Sequence, residues 1–127
     1  MWYNLGMERY YFPMTLNILV PGHIKCLEQL VSMGEVVVGL LTSEALSGYK
    51  EERMSYKDRE LILKSLKFNL LVAPQNTLNP TENIKLFNCT AIASGDGFNE
   101  EELKAIEELG IKKINLNSGC DLHSSNL

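Results

Sequence analysis

The apolar run Val36–Leu41 constrains the fold of this chain more than any other segment. A half-exposed strand alternates apolar and polar residues, whereas a continuous apolar run suits a strand covered on both faces, as in a parallel sheet. Residues 22–33 precede this run with aliphatic residues on one helical face, and Gly34 is a suitable helix stop. Since parallel strands need a crossover between them, we predict a strand–helix–strand unit whose first strand occupies residues 9–14.

Capping residues mark the starts of three further helices. Ser55 opens the first of these, whose inward-facing aliphatic residues are expected to be Leu61, Ile62, Leu63 and Leu66. Asn79 is the expected cap of the second, with Pro80 at its first helical position. Asn99 opens the third, which is rich in acids at its start and is expected to end at Gly110.

Short apolar segments lie between these helices, at residues 69–73, 90–93 and 113–116. Together with the first two strands they predict an α/β fold, a doubly wound, Rossmann-like, open parallel sheet of five strands. The chain of 127 residues has the size of one domain, and we interpret residues 1–127 as a single domain. Sheets of this kind bind ligands beyond the carboxyl ends of their strands.

The charge balance of the chain argues against one broad class of partner. The formal net charge is −4, whereas general nucleic-acid binders carry a basic surface stripe, so we expect no nucleic-acid partner. Residues 1–12 contain charged and polar side chains and no long apolar core. We therefore expect neither a secretory signal nor a membrane span, and we expect the protein to be cytoplasmic.

Glycine or serine turns follow four of the predicted strands. Pro21-Gly22-His23 follows the first strand, Gly48-Tyr49-Lys50 the second, Gly95-Asp96-Gly97 the fourth and Ser124-Ser125 the fifth. The glycine of the first turn lets phosphate oxygens approach the backbone, and the helix that follows presents free N–H groups and a partial positive charge to an anion. These turns predict a phosphate site, although each turn alone is also typical of a purely structural loop.

Structural interpretations stand beside the functional ones for individual side chains. Taken alone, His23 fits a helix N-terminal residue with a satisfied side chain, but beside Gly22, Lys50 and Arg59 it favours phosphate contact. Lys50 lies in a charged loop that is equally typical of a solvated surface. Arg59 follows Asp58 at a helix start and equally suits an ion pair with neighbouring acids. The sequence leaves both interpretations open for Lys50 and Arg59.

Taken together, the motifs resemble those of a known family. The matching stretches are Gly34 to Ala45, Tyr49-Lys50, Tyr56-Lys57-Asp58-Arg59, Ala73 to Leu78, Gly95-Asp96 and Ser124-Ser125. The chain resembles the cytidylyltransferase-like nucleotidyltransferases, most closely the branch that activates phosphonates such as 2-aminoethylphosphonate and more distantly glycerol-3-phosphate cytidylyltransferase. The resemblance spans residues 14–127 and implies a sheet of the nucleotidyltransferase type. It also implies transfer of CMP from CTP to a small phosphonate or phosphate acceptor, with release of pyrophosphate.

The resemblance implies roles for individual residues. His23 matches the second histidine of the family's H-x-G-H signature and Lys50 the lysine near the reacting phosphates, so these two are the expected catalytic residues. Arg59 matches the arginine of a Y-x-x-R stretch that supports phosphate or substrate charge. The expected nucleotide-binding residues are Met14, Thr15, Pro21, Gly22, His23, Lys50, Arg59, Gly95, Asp96, Ser124 and Ser125. Mg²⁺ is the implied cofactor, and a homodimer is the implied assembly.

Two positions depart from the family pattern. Val20 stands where the first signature histidine belongs, and Asn17 stands where the family has an aspartate that helps to place magnesium. An amide is a poorer ligand than a carboxylate for a hard divalent cation, so Asn17 is a weak expected metal ligand. Loss of one positioned donor commonly lowers a rate about 10²–10³-fold. The alternatives to an active enzyme are a nucleotide-binding or regulatory homologue without turnover and a structural subunit that pairs with an intact homologue.

Overall fold

The computed structural model describes residues 8–116, which form a five-stranded sheet with helices between the strands. The strands are β1 Glu8–Met14, β2 Gly34–Leu41, β3 Leu71–Gln75, β4 Ala91–Ser94 and β5 Lys112–Asn115. The helices are α1 Pro21–Met33, α2 Ser43–Leu46, α3 Tyr56–Lys64, α4 Thr81–Leu86 and α5 Glu100–Leu109. Every strand pairing is parallel, in the order β3-β2-β1-β4-β5. The predicted open parallel sheet of five strands is confirmed.

Strand β2 is buried on both faces, as its apolar sequence predicts. Val36 and Val38 belong to a hydrophobic cluster with residues of α1 and α3, while Val37 belongs to a second cluster with residues of α4 and α5. The neighbouring β1 alternates in the same way, with Phe12 in the first cluster and Tyr11 in the second. Helices therefore cover both faces of the sheet. None of the helices within residues 8–116 is long and apolar enough to cross a membrane.

The ends of α3 and α5 carry the predicted caps. Ser55 Oγ accepts the Asp58 N–H at 3.2 Å at the start of α3. At the start of α5, Asn99 Oδ1 accepts the Glu102 N–H at 2.8 Å, while Glu102 Oε1 accepts the Asn99 N–H at 3.0 Å. This reciprocal pair is a capping box, which satisfies two backbone donors that the helix cannot use. Gly110 ends α5 in the left-handed conformation, with φ 64°.

Two predictions about the helices are wrong in detail. Helix α4 begins at Thr81 and not at Pro80, because Asn79 Oδ1 accepts the Thr81 N–H at 2.9 Å. Leu61, expected to face inward, is 64% exposed. Leu63 takes the core-facing position of α3, and helical residues two apart lie on different sides of the helix.

The position of β1 creates a crevice in the sheet. Strand β1 lies at the centre, with β2 on one side and β4 on the other. Helix α1 carries the chain from β1 toward β2, whereas the chain returns to the opposite side of β1 only at β4. The loops after β1 and β4 therefore diverge, which is the arrangement at which open α/β sheets bind their ligands.

Candidate functional site

A cavity of about 570 Å³ opens at the carboxyl ends of β1, β2 and β4. Its volume lies within the range of about 300–1,000 Å³ that is usual for small-molecule sites. The expected nucleotide-binding residues that line it are Met14, Thr15, His23, Lys50, Gly95 and Asp96. Pro21, Gly22 and Arg59 belong to the described part of the chain but not to the cavity wall. Ser124 and Ser125 lie outside the described residues.

His23 is held by the backbone at the start of α1. Its Nδ1 accepts the Val20 N–H at 3.1 Å, and its own N–H donates to the Val20 carbonyl at 2.9 Å. Burial lowers the pKa of the His23 imidazole, and the Asp96 carboxylate opposes that shift. An imidazole that is neutral and accepts at Nδ1 carries its proton on Nε2. His23 therefore brings one N–H donor to the cavity without a permanent charge.

Two cationic side chains line the cavity on the side that follows β2. Lys50 and Arg53 are both exposed, and the Lys50 ammonium lies 5.5 Å from the centre of the Tyr49 ring. Lys50 belongs to the turn predicted after β2, whereas Arg53 was not among the predicted residues. Glu51 lines the cavity between them, so this side carries one net positive charge in a chain whose net charge is −4.

Asn17, the weak expected metal ligand, bridges two loops. Its Nδ2 donates to the Glu51 carbonyl at 2.7 Å, and its Oδ1 accepts the Arg53 N–H at 3.0 Å. Both the donor and the acceptor of the amide are thereby engaged by the segment between α2 and α3. These contacts do not fit the expected role of Asn17 in placing Mg²⁺.

Arg59 lies behind the cavity wall with no exposed surface. Its Nε donates to the Met54 carbonyl at 3.0 Å. Its Nη1 donates to the Thr15 carbonyl at 2.9 Å and to the Leu41 carbonyl at 2.6 Å. Its Nη2 also pairs with Glu52 Oε2 at 2.7 Å. These partners come from the segment after β1, the end of β2 and the segment before α3. The structure therefore places Arg59 where it joins three segments, away from the surface at which a phosphate would be contacted.

The loop after β4 forms the acidic side of the cavity. Ser94 Oγ donates to the Gly97 carbonyl and accepts the Asp96 N–H at 3.3 Å, and Gly97 has φ +102°, a conformation that favours glycine. Glu102 lines the cavity beside this loop. Burial raises the pKa of the Glu102 carboxyl, the N–H of Asn99 opposes this, and the Asp96 charge adds to the increase.

A network of hydrogen bonds among Tyr11, Gln75 and Asn83 lies beside the cavity, and Gln75 is part of the cavity wall. The Tyr11 hydroxyl donates to Gln75 Oε1 at 2.7 Å and accepts from Asn83 Nδ2 at 2.9 Å. Gln75 Nε2 donates to the Thr77 carbonyl at 2.9 Å, which fixes the segment after β3. A Cβ on Gly39 would overlap the Tyr11 hydroxyl, so the glycine makes room for this network.

Among the residues that line the cavity without having been predicted, three polar ones have a recognisable signal in the sequence. Arg53 shares a charged loop with Lys50. Glu102 is the third residue of a helix that Asn99 caps, where a glutamate turns back toward the helix start. Gln75 ends β3, at the carboxyl edge where parallel strands present ligand-binding groups.

Comparisons with known proteins support the fold. No protein-family model and no curated protein matches the chain. A lipopolysaccharide core biosynthesis protein from Thermoplasma volcanium is similar in structure, with a TM-score of 0.69 and 25% identity, over 88% of this chain and 96% of that one. A protein of unknown function from Archaeoglobus fulgidus has a TM-score of 0.66 and 17% identity, over 91% of this chain and 93% of its own. The chain thus shares a Rossmann-like α/β fold with proteins that it matches over nearly their whole length.

Proposed function

We propose that the protein binds CTP in this cavity and transfers CMP to a small phosphonate or phosphate acceptor, with release of pyrophosphate. One observation carries the proposal: His23 and Lys50 line the same cavity, at the divergence of the loops after β1 and β4. The resemblance of the sequence motifs supplies the nucleotide and the reaction class. Similarity to a lipopolysaccharide core biosynthesis protein supports a biosynthetic role.

The reaction needs positioning and charge neutralisation more than covalent chemistry. An acceptor oxygen forms a bond to the α-phosphorus, and the bond from that phosphorus to the oxygen bridging to the β-phosphate breaks. The electron pair of the broken bond leaves with pyrophosphate. His23 Nε2–H donates to a phosphate oxygen as charge develops there, and the Lys50 ammonium balances the charge of the leaving group. No side chain forms a covalent intermediate.

The two sides of the cavity suit the two ends of a nucleotide. The cationic side, which includes Lys50, would receive the phosphates. Gly95 and Asp96 lie on the other side, where the resemblance places the nucleoside. Carboxylates in Rossmann-like folds commonly accept hydrogen bonds from ribose hydroxyls, which is the contact proposed for Asp96.

A second candidate function, nucleotide binding without turnover, has specific support. Val20 makes no side-chain hydrogen bond at the start of α1, where the resemblance expects a second histidine donor. Asn17, where it expects an aspartate, is engaged by Glu51 and Arg53. A site that lacks one donor and one metal ligand would still hold phosphates while losing much of its rate.

Two measurements on the same preparation separate these functions. Purified protein with CTP, Mg²⁺ and 2-aminoethylphosphonate should release pyrophosphate, and His23→Ala should lower the rate by about 10²–10³-fold. Lys113→Ala, a change on the exposed surface of β5 outside the cavity wall, is the control and should leave the rate unchanged. Calorimetric binding of CTP without pyrophosphate release would favour the second function. Absence of CTP binding would contradict both.

The assembly is a further proposal from the resemblance. We propose a homodimer, which light scattering on the 127-residue chain would detect as twice the mass of 14.3 kDa. A monomeric mass would contradict this proposal. Copurification of a homologue instead of a second copy would support the alternative of a structural subunit.

A further inference from the structure

The guanidinium of Arg53 is available to a ligand. Arg53 lines the cavity and is exposed, and its backbone N–H donates to Asn17 Oδ1. Within residues 8–116 its side chain forms no hydrogen bond or ion pair with another residue. A guanidinium has five N–H donors in a planar fork that matches phosphate oxygens.

The backbone beneath Arg53 is held from both sides. On the cavity side, Asn17 binds the Glu51 carbonyl and the Arg53 N–H. On the core side, Arg59 binds the Met54 carbonyl and the Glu52 carboxylate. A free cationic side chain on a fixed backbone loses less entropy on binding than one on a mobile loop.

We propose that Arg53 contacts the phosphate groups of the bound nucleotide and that Asn17 is its positioning residue. This inference rests on the proposed nucleotide site and adds to it a residue that the family motifs do not assign. It also gives Asn17 a function other than metal binding. This amide joins the loop after β1 to the segment between α2 and α3, so the positions of the two segments beside the proposed phosphate region depend on each other.

The chemistry of position 17 requires an amide for this role. Asn17 donates to one backbone group through Nδ2 and accepts from another through Oδ1. An aspartate accepts but does not donate, so its second oxygen would face the Glu51 carbonyl oxygen with no hydrogen between them. Asn17→Asp therefore breaks the hydrogen bond to the Glu51 carbonyl and keeps the one from the Arg53 N–H. A metal-site interpretation predicts instead that the same change improves Mg²⁺-dependent binding.

The test is calorimetric titration with inorganic tripolyphosphate and, separately, with CTP, each with and without Mg²⁺. Arg53→Ala should weaken tripolyphosphate binding by about tenfold to a hundredfold, the usual effect of removing a hydrogen bond to a charged group. Lys113→Ala removes a distant charge and should stay within twofold of the unmodified protein. Asn17→Ala should weaken binding about threefold to tenfold in the unmodified background and should cause no further loss in the Arg53→Ala background.

The outcomes separate failure of this inference from failure of the proposed function. Tripolyphosphate affinity that is equal for Arg53→Ala and Lys113→Ala overturns the role of Arg53. An Asn17→Ala effect that persists without Arg53 overturns the positioning role, as does tighter Mg²⁺-dependent binding by Asn17→Asp. If Arg53→Ala weakens tripolyphosphate binding but CTP does not bind, the phosphate contact of Arg53 is supported while CTP as the ligand, and with it the proposed function, is contradicted.

Discussion

Arg59 gives the sharpest test of how the cavity is built. Replacing it with methionine keeps a long apolar stem and removes the guanidinium, which leaves the carbonyls of Thr15, Leu41 and Met54 without their donors. The Arg59 side chain has no exposed surface, so water cannot replace these contacts without a rearrangement. We therefore expect loss of stability as well as loss of the wall that the three segments form.

The size of the Arg59 effect can be worked from its partners. An unsatisfied buried polar group costs about 1–3 kcal/mol, and the Leu41 carbonyl is in a buried contact. The carbonyls of Thr15 and Met54 are partly buried, and loss of the hydrogen bond to each costs about 1 kcal/mol. The sum for Arg59→Met is about 3–5 kcal/mol, which is a large part of the 5–15 kcal/mol that is typical of a domain.

Urea denaturation followed by circular dichroism measures this loss. Lys64→Met, on the exposed end of α3, is the matched control and should change the free energy of unfolding by less than about 0.5 kcal/mol. Arg59→Lys keeps the charge but not the planar fork, so its loss should be intermediate. If the free energy of unfolding of Arg59→Met lies within about 1 kcal/mol of the unmodified value, the buried hydrogen bonds of Arg59 do not stabilise the fold as proposed.

Gly39, Glu52 and His23 each give a further measurable outcome. Gly39→Ala should lower the free energy of unfolding by about 1–3 kcal/mol, since its methyl would overlap the Tyr11 hydroxyl, and an unchanged Tm would contradict this. The Ser43 hydroxyl and then Arg59 hold the pKa of Glu52 below its ordinary value of 4.5. The ionised Glu52 therefore stabilises the folded chain above pH 4.5, and this stabilisation is lost as the pH falls through the lowered pKa. On acidification, the urea midpoint of Glu52→Gln should therefore fall less than that of the unmodified protein. Proton NMR should place the pKa of His23 below 6.5, because burial disfavours imidazolium, and a higher value would refute the neutral donor.

The fold was predictable because local patterns and tertiary packing agree in most of the chain. The apolar run of β2 favours burial on both faces, and that burial is found. The cap at Asn99 and the stop at Gly110 depend on neighbouring backbone groups, so they are readable from sequence. Leu61 shows the limit, since the orientation of a short helix depends on which of several aliphatic residues meets the sheet.

The site was predictable at the level of loops and less so at the level of side chains. His23 and Lys50 follow strands at the expected edge and line the cavity. Arg53 and Arg59 lie in one short stretch of sequence, but one is exposed in the cavity wall and the other is fully buried. The difference arises because carbonyls from three separate segments surround the Arg59 guanidinium and none accepts from that of Arg53 within residues 8–116. No local sequence pattern encodes such an arrangement. The bridging role of Asn17 has the same origin.

A crystal structure of the protein with CTP would show directly whether the cavity is the nucleotide site. We expect the triphosphate to lie between the loop after β1 and the segment between α2 and α3, with phosphate oxygens within hydrogen-bonding distance of His23 Nε2 and Lys50 Nζ. We expect the nucleoside to lie toward Gly95 and Asp96. A nucleotide bound elsewhere, or phosphates that contact neither His23 nor Lys50, would contradict these expectations.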